Sequence, residues 1–142
     1  MEPPRIVLDT NVLVAGLRSR RGASFRLLSM LGTGRFEIAI SVALVLEYED
    51  VLRRQAADLG LDEADVADVI DYLCAVGRRE RIHYLWRPYL RDPKDDHVLE
   101  LGVAANCEGI VTFNIRDFDG VERFGLWILT PLAFLERIGG DR

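Results

Sequence analysis

The run Arg5-Ile6-Val7-Leu8, followed by Asp9-Thr10-Asn11, constrains this chain more than any other stretch. Its apolar residues succeed one another without alternation, which suits a strand covered on both faces. A carboxylate, a hydroxyl and an amide come directly after it. In an open parallel sheet, ligands bind just beyond the carboxyl ends of the strands, so Asp9 stands where chemistry sits in such a fold. Alone, Asp9, Thr10 and Asn11 would read as a turn, because Asp and Asn bond their own backbone there. Similar acidic stretches recur further along, and that recurrence changes the reading.

Four more strands are expected. Residues 36–40 form the second, and a short stretch at 82–86, containing His83, the third. Gly109-Ile110-Val111-Thr112-Phe113 forms the fourth and Trp127-Ile128-Leu129 the last. Between them lie helical patterns. Residues 23–34 carry Phe25, Leu28 and Leu31 on one stripe and end at Gly32 and Gly34. Ser41 caps a helix over 42–59. Another runs from Leu61 to about residue 79, with Asp62, Glu63 and Asp65 at its positive end and Arg78 and Arg79 at its negative end. Thr130-Pro131 opens the last, with Leu132, Leu135 and Ile138 inward. This alternation predicts an α/β fold: three layers, α/β/α, around a central, mainly parallel sheet of about five strands with right-handed crossovers.

The chain has 142 residues, enough for one domain with a real core and too few for two ordinary ones, so residues 1–142 are expected as a single domain. Apolar residues make up 49%, which argues against disorder. No apolar run approaches the ~20 residues of a membrane helix, and Met1-Glu2-Pro3-Pro4 does not read as a signal peptide. Cys74 and Cys107 lack a Cys-x-x-Cys spacing, so they read as buried thiols of a cytoplasmic protein, not zinc ligands. The net charge of -5 has the wrong sign for holding nucleic acid by bulk charge. The positive charge is nearly all arginine, which suits bidentate phosphate contacts. The basic loop Arg18-Ser19-Arg20-Arg21-Gly22 reads by default as a solvated turn.

Glu47 lies among Leu44, Leu46 and Val51, whereas Glu49, Asp50, Arg53 and Arg54 read as solvated. A carboxylate beside an apolar stripe is costly unless partnered. Glu47 is therefore either a border residue reaching out to water or a metal ligand early in a helix that starts at the strand tips. Asp92-Pro93 marks a turn, and a helix follows. Capping and the helix dipole explain one of its acids well and three poorly. Asp95 keeps register with Val98, Leu99 and Gly102, so it is expected to point along the buried face as a ligand; Asp96, one position off, is expected to assist. His97 has no obvious second metal-binding partner and is left outside the site. The end of the fourth strand and the residues after it again carry a hydroxyl, an amide and a carboxylate, Thr112, Asn114 and Asp117, like Thr10, Asn11 and Asp9.

In a parallel sheet, Asp9, Glu47, Asp95 and Asp117 would meet at one edge. Such a group repels itself, and some members would take up protons unless a hard divalent cation joined them. All-oxygen ligands point to Mg²⁺ or Mn²⁺. Such an ion takes phosphate oxygens as further ligands, so the implied chemistry is phosphodiester hydrolysis without a histidine base.

The chain resembles the PIN-domain ribonucleases, of the kind found as the toxin of bacterial and archaeal toxin–antitoxin pairs. The likeness rests on Leu8-Asp9-Thr10-Asn11-Val12-Leu13, on Leu46-Glu47-Tyr48 with Val51-Leu52, and on Asp92-Pro93-Lys94-Asp95. It extends to Ile110-Val111-Thr112-Phe113-Asn114 with Asp117-Phe118, and to Leu129-Thr130-Pro131 with Phe134-Leu135. It covers nearly the whole chain. The resemblance implies Mg²⁺- or Mn²⁺-dependent endonucleolytic cleavage of RNA. It also implies homodimers and inhibition by a small antitoxin that covers the site. Asp9, Glu47, Asp95 and Asp117 match the family's acidic ligands, and Asn11, Thr112 and Asn114 its supporting polar residues. Many members carry Asp where this chain has Asn114, which implies one charge fewer around the ion. Two alternatives stand beside this reading. A receiver-like phosphoacceptor domain would want an acid pair at the first strand and a lysine after the last, but the single lysine, Lys94, lies in another segment. A non-catalytic RNA- or protein-binding module on the same fold is the other, and the acidic balance of the chain keeps it open.

Overall fold

The computed structural model describes residues 2–82, 90 and 92–139. In chain order the elements are β1 (Arg5–Leu8), α1 (Thr10–Arg18), α2 (Ala23–Ser29), β2 (Glu37–Ile40), α3 (Val42–Leu59), α4 (Glu63–Val76) and β3 (Arg78–Arg79). They continue with α5 (Asp96–Ala104), β4 (Gly109–Val111), β5 (Trp127–Leu129) and α6 (Pro131–Ile138). Short 3-10 turns cover Pro93–Asp95, Ile115–Phe118 and Val121–Phe124.

The five strands form one sheet in the order β3-β2-β1-β4-β5, and every pair is parallel. The expectation of a parallel α/β fold therefore holds. β1 lies in the middle, with Ile6, Val7 and Leu8 fully buried, as its unbroken apolar run requires. From β1 the chain winds outward through β2 to the edge strand β3, then crosses back to β4 and β5. The winding reverses between β1 and β4, and at such a switch point the loops part to leave a crevice. α1 packs on α2 and α3, α3 on α4, and α2 on α6, while α5 lies against β1, β2 and β4. No helix among the described residues is long and apolar enough to cross a membrane.

Local chemistry sets the element ends. Ser41 caps α3 by accepting the Leu44 N–H, and Asp62 and Asp65 form a reciprocal capping box on α4. Thr130 caps α6 by accepting the Ala133 N–H, with Pro131 in the first turn.

Several expectations need correction. The helix ending near residue 79 stops at Val76 instead. Gly77 turns the chain into an extended conformation, and Arg78 and Arg79 leave as β3, paired with Ala39 and Ile40. A side chain at Gly77 would press within 2.7 Å of the Leu73 carbonyl oxygen and 3.0 Å of the Ile40 side chain. The strand expected over 82–86, with His83, lies outside the described residues except for Ile82, which is not in a strand. The helix expected over 23–34 is regular only to Ser29. In α6, Leu135 is buried as expected, whereas Leu132 faces solvent and Phe134 fills the core in its place. Of the two thiols expected to be buried, Cys107 is buried and Cys74 only half-buried.

Candidate active site

The site is assembled where β1 and β4 end side by side. Leu8 is in register with Val111, and the ladder runs one residue further: the Asp9 N–H donates to the Val111 carbonyl at 2.9 Å and the Thr112 N–H to that of Leu129 at 2.9 Å. Asp9 and Thr112 thus emerge as neighbours from residues 103 apart in sequence. The Thr112 hydroxyl donates to Asp9 Oδ2 at 2.7 Å, and the Thr10 N–H donates to Oδ1 at 2.9 Å. Asn11 Nδ2 lies 3.3 Å from Asp9 Oδ2, and Asn11 Oδ1 accepts the Phe113 N–H at 3.2 Å. The Asn114 N–H donates to the Thr112 hydroxyl at 3.0 Å. Both strand-end loops are thereby tied to one carboxylate, and χ freedom of Asp9 is removed before any ligand arrives.

Asp9 is buried, and burial pushes its carboxyl above the ordinary aspartate value; the hydrogen bonds from Thr112 and Thr10 oppose this, and the Glu47 charge adds to it. α3 contributes two neighbouring groups. Glu47 Oε2 accepts a hydrogen bond from the Thr10 hydroxyl, and Oε1 pairs with His97 Nε2 at 3.0 Å. Burial pushes the Glu47 carboxyl up, but the bonds from His97 and Thr10 and the His97 charge outweigh it and hold the acid below its ordinary value. The next residue, Tyr48, is fully buried and donates its hydroxyl to the Leu8 carbonyl, anchoring the tip of β1 to α3.

Asp95 ends the 3-10 turn before α5 and is half-buried. Burial raises its carboxyl to about 7, with further repulsion from Asp9, Asp92, Asp117 and Glu47. Of the four expected acids, Asp9 and Asp95 line one cleft, and Glu47 bonds Thr10 beside Asp9. Asp117, in the turn after β4, joins the cluster through its charge on Asp95.

Asp9, Thr10, Asn11, Asp95 and Asn114 share one open cleft of about 630 Å³. Thr112 lies fully buried behind Asp9. Asp96 is placed differently from expectation: it is more buried than Asp95, and its Oδ1 accepts the Leu90 N–H at 2.8 Å. The reason is a change of helical period. Pro93–Asp95 is a 3-10 turn, so extrapolating the α-helical spacing back from Val98 misplaces the two acids. The exclusion of His97 is also corrected, since it bonds Glu47. The available signal was its position in the first turn after Asp95-Asp96, within reach of whatever those acids face. Tyr48 had a signal too: a buried tyrosine hydroxyl must find an acceptor.

Among the described residues, no three of His, Cys, Asp and Glu already converge into a metal-coordinating geometry. The donor chemistry nevertheless fits a hard divalent cation. The acids are all-oxygen donors, and burial together with the charges of Asp9, Asp92, Asp117 and Glu47 raises the proton affinity of Asp95, which a bound cation would lower.

Fold and site together define the class, an all-parallel α/β protein with a carboxylate-lined crevice at its switch point. The chain belongs to the PIN domain family, whose sequence profile matches residues 5–116. Its structure is similar to that of VapBC2 from Rickettsia felis, solved bound to a DNA fragment from their promoter. The TM-score is 0.60 at 15% identity, over 87% of this chain and 98% of that one. At that identity the likeness speaks for the fold. No curated protein matched the chain in sequence.

Proposed function

We propose that this protein is an endoribonuclease that hydrolyses RNA phosphodiester bonds with Mg²⁺ or Mn²⁺, and that it is the toxin of a toxin–antitoxin pair. The observation that carries the reading is that Asp9 and Asp95 line one cleft at the strand ends, with Glu47 bonded to Thr10 beside Asp9; burial, and then the charges of Asp9, Asp92, Asp117 and Glu47, raise the Asp95 carboxyl to about 7. Those four acids are the residues that would hold the ion, with Asn114 adding a neutral oxygen beside them. When bound, the ion supplies Lewis acidity to the phosphodiester and the attacking water.

The chain's own residues do the positioning. Thr112, the Thr10 N–H and Asn11 hold Asp9 in one orientation, and His97 and Thr10 clamp Glu47. Tyr48 fixes the strand end from which Asp9 projects. Thr10, Asn11, Thr112, Asn114 and, through its hold on Leu90, Asp96 act in support. PIN-family membership and the fold shared with VapBC2 support the toxin role. In that role the protein works in the cytoplasm as a homodimer, restrained by a small antitoxin that covers the cleft. The competing reading, a non-catalytic RNA- or protein-binding module, draws on one observation: both Glu47 oxygens already have hydrogen-bond donors.

The test is cleavage of a mixed RNA pool with Mn²⁺ by the wild type and by Asp9→Asn. The expected result is cleavage by the wild type that chelation abolishes, and none by the variant, whose circular dichroism is unchanged. Equal cleavage by both proteins removes Asp9 from the site.

A further inference from the structure

The cleft continues beyond the acids. From Asp9 and Asp95 it follows α1 past Val14 and Ala15 to Arg18 and Ser19, with Val51 and Gln55 of α3 also lining it. Thr10 and Arg18 are the two ends of α1, so a rise of 1.5 Å per residue separates them by about 12 Å.

Arg18 is the one cationic residue among the described residues that line this cleft. Arg5 pairs with Glu37, Arg53 with Glu49 and Arg54 with Asp50, so each has its charge matched. Arg18 Nη2 instead donates to the neutral Gln55 Oε1 at 3.0 Å, bridging α1 to α3. Among the described residues no carboxylate pairs with it. A guanidinium carries five N–H donors in a planar fork matched to phosphate, and Gln55 occupies one of them while orienting the rest. In a chain of net charge -5, such an uncompensated cation in a cleft with an acidic end stands out.

We propose that Arg18, oriented by Gln55, binds a non-scissile phosphate of a single RNA strand lying along α1. The inference rests on the nuclease reading above and deepens it. The scissile phosphate would lie at the Asp9 and Asp95 end through the ion those acids would hold, and a span of about 12 Å exceeds one phosphodiester link. Arg18 therefore meets a phosphate further along the strand. Val14, Ala15 and Val51 form an apolar wall for the sugar and base between. This localised contact, in place of bulk positive charge, lets an acidic protein hold RNA in register.

The test uses a short oligoribonucleotide in which one linkage at a time near the scissile bond is a neutral methylphosphonate. It is cleaved with Mn²⁺ by the wild type and by Arg18→Gln. One charge-assisted contact predicts that neutralising a single particular linkage raises the wild-type KM about tenfold. Arg18→Gln should raise KM about as much on all-phosphate RNA and gain no further loss from that linkage. An Arg18→Gln variant with wild-type KM, or a loss that adds in full to the methylphosphonate loss, overturns the Arg18 contact while leaving the nuclease reading standing. A wild type that cleaves no RNA with Mn²⁺ overturns both.

Discussion

Replacing Asp95 by asparagine should make the metal-free protein more stable. The Asp95 carboxyl rises from 3.8 to about 7 in the folded chain, through burial and then the charges of Asp9, Asp92, Asp117 and Glu47. A raised acid binds its proton more tightly when folded than when unfolded. Its contribution to stability is therefore fully present below 3.8 and is lost as pH climbs towards 7. At full weight that rise corresponds to about 4 kcal/mol. The group is only half-buried, and solvent screening reduces the figure to about 1–2 kcal/mol. Asp95 makes no capping hydrogen bond to α5, so asparagine removes the charge without removing such a bond. For a domain of this size the gain should raise the melting temperature by roughly 3–7 °C at pH 8 in chelator. At pH 4, where the wild-type acid is already protonated in the fold, the gap should shrink towards zero. Added Mn²⁺ should stabilise the wild type more than the variant. Scanning calorimetry at both pH values, with and without Mn²⁺, measures all of this. A variant that melts at or below the wild type at pH 8 in chelator refutes the crowding of charge at Asp95, and so does a gap of equal size at pH 4.

Three further outcomes follow from the geometry. His97→Gln should weaken Mn²⁺ binding about tenfold, because the group orienting Glu47 is altered; an unchanged affinity by calorimetric titration would show that the pair does not matter to the ion. Tyr48→Phe leaves the Leu8 carbonyl without its buried donor and should cost about 1–3 kcal/mol in urea unfolding; a loss below the error of the fit counts against the anchoring role. Gly77→Ala drives a methyl against the Leu73 carbonyl and Ile40, and should destabilise by about 1–3 kcal/mol; a neutral variant would mean that the entry to β3 yields easily.

The parts legible in the sequence were those with a local cause. α3 spans Val42–Leu59 as expected, because Ser41 caps one end and Gly60 takes a left-handed conformation at the other. β1, β2, β4 and β5 announced themselves as short apolar runs, but β4 stops at Val111 and not at Phe113, so the pairing of Asp9 with Thr112, each directly following a strand, was not readable. β3 was not legible: two exposed arginines have no apolar signature, and their charge suited a helix end equally well. The relative placement of Asp95 and Asp96 failed for a different reason, since a 3-10 turn shifts the phase of a helix without changing its composition. The His97–Glu47 contact joins residues 50 apart, and no spacing rule within one helix can reveal such a pair.

The most direct test is anomalous diffraction from crystals grown with Mn²⁺. A carboxylate-held ion should give one or two peaks bounded by Asp9, Glu47, Asp95 and Asp117, with oxygens at roughly 2.1 Å. No peak there at saturating Mn²⁺, or a peak that none of these four acids touches, would contradict the account.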